Sequence, residues 1–387
     1  MFSLASSVIE VASRAKEIRD RVRTIREDAL CHMEEYLESF KEHLEANGGY
    51  VYEAKRAEDA LRFIDRIVDG ADVVKSKTSV GKEIGVRGIE TDTGDFIAAL
   101  LGDSGHPILP AVDKTPEEIA GALKEHYGVD VSPDPKEIVD AIRNILREKI
   151  LSAGVGITGA NVLTADGEIF IVENEGNIAL VSHVPEIHIV VTSIEKVVSD
   201  AIAAMHVCRA LALFGTGQGR PTYINVISGP SSTADICGKP IRPAQGPKEL
   251  HVILVDNGRR MLLRSQYRDI LKCINCGACL SVCPVFHAIG REYGFEHKGS
   301  RGIVLQRFQK GMNELFEKAF YCTGCGLCAE ICPAGVNLPE LIRKLRAELH
   351  ANGLQTKKNL RMIENVIKGG DTFGGKVVGT DTEFYCC

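Results

Sequence analysis

The residues with the plainest capacity for chemistry are eight cysteines in two runs. Cys273, Cys276, Cys279 and Cys283 form the first; Cys322, Cys325, Cys328 and Cys332 form the second; Pro284 and Pro333 follow directly. Each run reads C-x2-C-x2-C-x3-C-P, the spacing by which bacterial ferredoxins hold [4Fe–4S] clusters. Three sulfurs at steps of three converge on one cubane, while the fourth cysteine points away and ligates the other cluster. The expected ligand sets are therefore Cys273, Cys276, Cys279 and Cys332 for one cluster, and Cys322, Cys325, Cys328 and Cys283 for the second. Gly277 and Gly326 let backbone amides approach the sulfur atoms. Zinc also takes four cysteines, but its sites usually pair two C-x2-C knuckles across a longer loop. Two ferredoxin-type runs point to iron.

The other cysteines carry less. Cys208 lies in an apolar stretch and reads as a small core residue. Cys31 and Cys237 stand alone, and the adjacent Cys386 and Cys387 close the chain without a recognisable ligand pattern. Thirteen cysteines, eight of them in metal-type runs, argue for a reducing compartment, and a cytoplasmic location is expected. The opening MFSLASSVIEVASRAKEIRD has no basic segment ahead of an apolar block, so no signal peptide is expected. Val197 to Phe214, the most apolar helical candidate, is interrupted by Asp200 and Arg209, and no membrane span is predicted.

The chain has a net charge of −6, yet residues 261–387 hold 17 Lys and Arg against 12 Asp and Glu. Those basic residues are scattered among acids and lack an interleaved aromatic run, which disfavours a nucleic-acid partner. They offset the cofactors instead, since each oxidised cluster with four thiolates adds a charge of about −2.

Other motifs weigh less than the cysteines. Gly215-Thr216-Gly217-Gln218-Gly219 resembles a phosphate loop but follows a helix and leads into a strand, the reverse of what a phosphate cradle needs. Gly215 is read as a helix C-cap. Glu173-Asn174-Glu175-Gly176-Asn177 could supply a carboxylate nucleophile, though a hairpin turn or a ligand contact is the expected role. Lys75 and Lys77 could meet an anion at a strand end, where solvated lysines are ordinary. No flavin or nicotinamide fingerprint is present.

These side chains need a scaffold. Residues 8–46 read as one amphipathic helix through Val11, Ala15, Ile18, Val22, Ile25 and Ala29, then Met33, Leu37, Phe40 and Leu44. From Tyr50 strands and helices alternate. Strands are predicted at 50–52, 72–75, 107–109, 187–191, 223–227 and 251–255, and helices at 57–68, 116–127, 135–151 and 195–214. A hairpin is predicted with arms 168–173 and 178–181. Such alternation favours an α/β open sheet. After Asp256-Asn257-Gly258 the strand-like runs cease, and the thirty-eight residues between Cys283 and Cys322 look helical. A helical ferredoxin module is expected there, the second cysteine run being a short internal duplication of the first. The predicted division is 1–48 for an N-terminal helix, 49–262 for the α/β domain, 263–350 for the two-cluster module and 351–387 for a surface tail.

With KSKTSVGKEIG, IETDTGDFI, GITGANVLTADGEIFIVENEGN, PEIHIVVTSIEKVV, VDNGR and CINCGACLSVCPVF in view, the chain resembles the lactate utilisation protein B family from about Lys75 to Leu341. That resemblance implies a LUD domain with a fold like CoA transferases and sugar-phosphate isomerases. It also implies service as an iron–sulfur electron carrier in L-lactate oxidation. The partners it implies are other subunits of an oxidoreductase complex: a cysteine-rich or flavin-containing protein and a second LUD-type protein. Two other readings of the residues are an electron relay to a disulfide or quinone reductase and a ligand-binding redox sensor. In the relay readings the chain is not catalytic alone.

Overall fold

The computed structural model describes residues 15–102, 110–111 and 113–374. The chain opens with α1 (Lys16–Cys31) and α2 (Met33–Ala46), followed by β1 (Tyr50–Ala54), α3 (Ala57–Val68) and β2 (Val73–Lys75). Next come α4 (Ser79–Ile84), β3 (Ile89–Glu90), α5 (Thr93–Leu101), α6 (Pro116–Tyr127) and α7 (Pro135–Ser152). Then follow β4 (Val155–Gly159), β5 (Val162–Thr164), β6 (Ile169–Glu173), α8 (Asn177–His183), β7 (Ile187–Ser193) and β8 (Val197–Val198). The α/β part closes with α9 (Ala201–Thr216), β9 (Tyr223–Ile227) and β10 (Glu249–Val255).

Six strands form an entirely parallel sheet in the order β1-β10-β7-β4-β2-β3. Its central strands read HVILV and IHIVV and are buried on both sides, as a helix-covered parallel sheet requires. One face packs on α3 and α4 through Ile64, Val80 and Ile84. A smaller sheet in the order β8-β5-β6-β9 stands apart from the first and covers α2 together with its opposite face. α5, α6 and α7 pack on one another around Phe96, Leu123 and Ile142.

Beyond β10 the chain is helical among the described residues, with α10 (Arg259–Leu263), α11 (Ala278–Ser281) and α12 (Pro284–Ile289). These lead to α13 (Gly299–Leu305), α14 (Met312–Tyr321), α15 (Leu327–Ile331), α16 (Leu338–Ala351) and α17 (Lys357–Gly369). The helical module shares one core with α1 and α9, where Val22, Ala29, Val207 and Phe214 meet Ile303, Leu315 and Leu345. It is not an appended bead.

The N-terminal segment corrects the single-helix expectation. The chain bends at His32, because Val22, Ala29 and Leu30 belong to the core of the cysteine module whereas Met33, Leu37, Phe40 and Leu44 belong to the sheets. Arg26, buried on α1, donates to Glu195 O at 2.5 Å, Leu271 O at 2.8 Å and Lys272 O at 3.3 Å. This helix is an internal strut, which leaves its apolar face no role as a docking surface.

Other expectations also shift. The segment predicted as a hairpin arm, 178–181, is helical: Gly176 takes φ +82° and the Glu173 carboxylate accepts Ile178 N–H at 2.8 Å and Ala179 N–H at 3.2 Å, which starts α8. β6 pairs instead with β5 and β9. The helix predicted from Glu195 begins at Ala201, where Asp200 Oδ1 caps the Ala203 amide at 2.9 Å. It ends at Gly217 (φ +75°), not at Gly215. Gly215 sits inside the helix, where a Cβ would meet Cys276 O at 3.2 Å. The strand predicted at 107–109 lies outside the described residues.

Candidate functional site

The first cysteine run winds between a 3₁₀ turn and α11. Cys273 ends the turn, Asn275 adopts φ +64°, and Gly277 (φ +81°) starts the helix that carries Cys279. Donors are aimed at the sulfur: Arg301 Nε reaches Cys273 Sγ at 3.0 Å and the Asn275 amide reaches it at 3.4 Å. Cys332 caps α15 and accepts from the Val336 amide at 3.3 Å. The second run repeats the local design. Gly324 (φ +72°) donates its amide to Cys322 Sγ at 3.4 Å, and Gly326 (φ +88°) starts α15, which carries Cys328.

The electrostatic neighbours group the eight thiols. Burial pushes Cys279 well above an ordinary thiol, reinforced by Cys273, Cys276 and Cys332. Cys276 is raised by burial and then by Cys273, with Cys332 adding to it. Cys328 is pushed up to about 12 by burial, then by Cys322, Cys283 and Cys325. Cys283 is raised by burial and by Cys322 and Cys325, against the lowering effect of the Phe286 and Val285 amides. Cys332 thus sits with the first run and Cys283 with the second. Thiols crowded this way gather negative charge only beside a cationic core, and N–H and guanidinium donors on their sulfurs suit thiolates bound to iron.

A cavity of ≈ 510 Å³ lies beside Cys273, Cys276, Cys279 and Cys332, and the α/β domain forms its other wall. Asn275 Nδ2 donates to Ser79 Oγ at 2.9 Å, tying the cysteine loop to α4. A buried polar chain runs alongside. Arg259 forks onto Glu83 at 3.0 and 2.7 Å, His297 Nε2 meets Glu83 Oε2 at 2.6 Å, and Arg301 Nη1 meets His297 Nδ1 at 3.1 Å. Arg259 and Glu83 are fully buried. Glu83 is held well below the usual carboxylate range: Arg259 and His297 outweigh the raising effect of its own burial.

The remaining candidates resolve into defined places. Lys75 pairs with Glu90 at 2.6 Å and Lys77 with Asp95 at 2.8 Å. Glu173 is spent on the α8 amides and on Asn225 Nδ2 at 2.8 Å, and Glu175 accepts from the Thr93 amide and hydroxyl. Cys208 is buried and its thiol is pushed up to about 12 by that burial. Cys31 and Cys237 are exposed. Cys386 and Cys387 lie outside the described residues. Sequence reasoning gave no role to Arg301, His297, Glu83, Lys196 or Arg259. For Arg259 the signal was a cation four positions after the apolar strand 251–255; Arg301 carried none, being one of many scattered cations.

A 4Fe-4S dicluster domain is matched over residues 269–336, and a LUD domain over residues 37–255. Fold and site together define an iron–sulfur protein built on an α/β scaffold. The chain belongs to the LUD domain family. It is 33% identical over 333 residues to the "uncharacterized electron transport protein YkgF" of Escherichia coli K12, covering 82% of this chain and 68% of that protein. It is 34% identical over 318 residues to lactate utilization protein B of Bacillus subtilis 168, covering 78% of this chain and 65% of the relative. The matched part therefore spans about two thirds of these relatives' length. A DUF162 family protein from Deinococcus radiodurans covers 58% of this chain and 98% of its own at 17% identity, with a TM-score of 0.31, a likeness too slight to bear on the fold. Among the described residues no helix is long and apolar enough to cross a membrane.

Proposed function

We propose that the chain is the iron–sulfur electron-transfer subunit of an oxidoreductase complex of the L-lactate-oxidising type. It holds two [4Fe–4S] clusters, one on Cys273, Cys276, Cys279 and Cys332 and one on Cys322, Cys325, Cys328 and Cys283. The observation that carries the reading is that Cys332, from the second run, lines one cavity together with Cys273, Cys276 and Cys279 of the first. The names of the relatives, lactate utilization protein B and an electron transport protein, supply the setting. A [4Fe–4S] cluster supplies one-electron transfer.

This chain's own residues orient that transfer. The first quartet lies against the α/β domain, and the second opens outward through exposed Cys325, Tyr321 and Leu327. The outward quartet is the face for a cysteine-rich or flavin-containing subunit, and a second LUD-type protein completes the complex. A cubane with four cysteines keeps no vacant position for substrate, unlike a catalytic metal centre. Two-electron oxidation of lactate therefore belongs to the assembled complex. The test supplies the chain, reconstituted with iron and sulfide, with L-lactate and an artificial one-electron acceptor, and follows pyruvate. No turnover is expected until partners captured anaerobically from native cells are added. Steady pyruvate formation by the chain alone would overturn the relay.

A further inference from the structure

The last described helix is fixed at its start and covered nowhere. α16 stops at Asn352, Gly353 turns the chain with φ +77°, and Leu354 packs back onto the core of the cysteine module. Thr356 then caps a new helix, its Oγ1 accepting the Asn359 amide at 3.0 Å. That helix, α17, runs from Lys357 to Gly369, and none of its residues is buried. A helix of 13 residues is marginal in water unless one of its faces packs on something.

α17 has such a face. Leu360, Ile363 and Ile367 recur at steps of three and four, and Met362 and Val366 widen the stripe on one side. All five are exposed, Ile367 by 79%. The opposite face carries Lys357, Lys358, Arg361 and Lys368 against the one carboxylate of Glu364, a net charge of +3 from four cations and one anion. Lys368 approaches Glu364 at 3.9 Å, whereas Lys357, Lys358 and Arg361 form no ion pair among the described residues. Lys357 and Lys358 stand in the first turn, where the helix dipole disfavours cations. The stability of the helix does not account for them; an anionic surface beside it does.

We propose that α17 lies on an anionic lipid surface, its aliphatic face among the acyl chains and its cations at the level of the headgroups. The apolar face is wide and has no aromatic residue, whereas helices seated in protein grooves present a narrower stripe with large anchors. The net charge of α17 complements anionic headgroups, each cation adding roughly a fivefold gain near such a surface. A second copy of the chain would instead set two helices of like charge side by side. α17 is too short and too charged to span a bilayer, so the contact is interfacial. Only residues 352–356 separate α17 from α16, and α16 itself begins at Leu338, close after the ligand Cys332. The part of the chain brought to the lipid is therefore the cysteine module.

The experiment sediments the full chain, loaded with iron and sulfide under anaerobic conditions, with lipid vesicles. One set is phosphatidylcholine alone, and the other contains about one third phosphatidylglycerol. Binding to the anionic set is expected to be stronger by about tenfold or more, and to weaken as salt rises from about 0.1 to about 0.5 M. Ile363→Asn combined with Ile367→Asn should lower binding to the anionic vesicles by about tenfold or more. Changing Lys357, Lys358 and Arg361 together to Gln should remove the preference for phosphatidylglycerol. All five positions lie on a helix without buried residues, so iron content and the melting curve should match wild type. Should the asparagine variant lose the helix by circular dichroism, the glutamine variant decides. No binding to either vesicle, equal binding to both, or undiminished binding by the folded variants would overturn the proposal. So would a wild-type dimer in sedimentation equilibrium that the asparagine variant dissolves, or a soluble subunit that holds wild type and releases that variant. Vesicle binding needs neither lactate nor a partner, so its failure leaves the relay standing, and failure of the relay leaves the lipid contact standing.

Discussion

The two cysteine quartets grow from nearly the same stretch of sequence and meet different surroundings. Around the first, Ile274, Ala278, Leu280 and Ala334 are buried, α9 crosses directly behind Cys276, and Arg301 links Cys273 to the Glu83–His297–Arg259 chain. Around the second, Thr323, Gly324, Cys325 and Leu327 are all exposed. Local loop geometry is thus a property of the repeated motif, whereas burial and charge are properties of what the fold sets against it. Burial and hydrogen bonds to sulfur are what tune cluster potentials, so two similar motifs can hold electrons at different energies. The difference also gives the relay a direction in space, from the α/β wall through the inner quartet to the outer one.

The largest effect should come from breaking the crossing itself. Cys332→Ser removes a ligand from the inner cluster although its sequence neighbours belong to the outer one, and Cys283→Ser does the converse. Each variant should fall from about eight iron atoms per chain to about four. Paramagnetic resonance of the reduced variants should show the loss at opposite clusters. If Cys332→Ser disturbs only the cluster of Cys322, Cys325 and Cys328, the crossed assignment is wrong.

The inner quartet's support is the next lever. Glu83 lies at the start of the α/β domain, yet it accepts from Arg259, His297 and Gln309, and so fastens that domain to the helical module. Breaking one member of a buried charge network typically costs about 3–5 kcal/mol. Glu83→Gln should lower stability by that order and loosen the inner cluster before the outer one. The folded-state pKa of Glu83 is depressed, so its contribution is fully present above the ordinary carboxylate value of 4.5 and is lost as pH falls through the depressed one. The gap between wild type and Glu83→Gln in chemical unfolding should therefore narrow as pH drops below 4.5. A constant gap from neutral pH down to the acid limit would mean that folding leaves the Glu83 pKa unshifted and that the network does not favour its charged form.

How much of this was readable beforehand divides along the same line as the quartets. The cysteine runs, the helical character of their module and the alternation of strands and helices are local patterns, and the strands at 50–54, 223–227 and 249–255 stand near their predicted places. The bend at His32 was not readable, because an apolar stripe says that a helix is buried and not that its two halves are buried in different cores. Nor was the role of Arg26, Glu83, His297 and Arg301. Each is an ordinary charged residue in sequence, and its partners lie up to 246 positions away. Ser76 sat unremarked between Lys75 and Lys77, because an unpaired buried hydroxyl is visible only when the surrounding strand ends are in place.

The smallest predicted effect sharpens the comparison most directly. Among the described residues Arg301 is the guanidinium that donates to a cluster sulfur, at 3.0 Å from Cys273. Adding an electron makes the cluster more negative, so a positive donor on the sulfur stabilises the reduced form and raises the potential. Arg301→Met should therefore lower the inner cluster's potential by an amount on the order of tens of millivolts, where 59 mV corresponds to tenfold in a one-electron equilibrium. Arg301→Lys keeps the charge but not the planar fork that also reaches His297 Nδ1 at 3.1 Å, and it should fall between wild type and Met. The outer cluster should not move, since among the described residues Arg301 donates to none of its cysteines: the Cys322 sulfur accepts from the Gly324 amide at 3.4 Å, and Arg346 reaches the Cys322 carbonyl at 2.5 Å. Redox titration followed by paramagnetic resonance separates the two clusters. Equal shifts in both would mean that Arg301 acts through the general field or the packing of the module rather than through its bond to Cys273. An unshifted inner cluster would show that burial, not this bond, accounts for the contrast between the quartets.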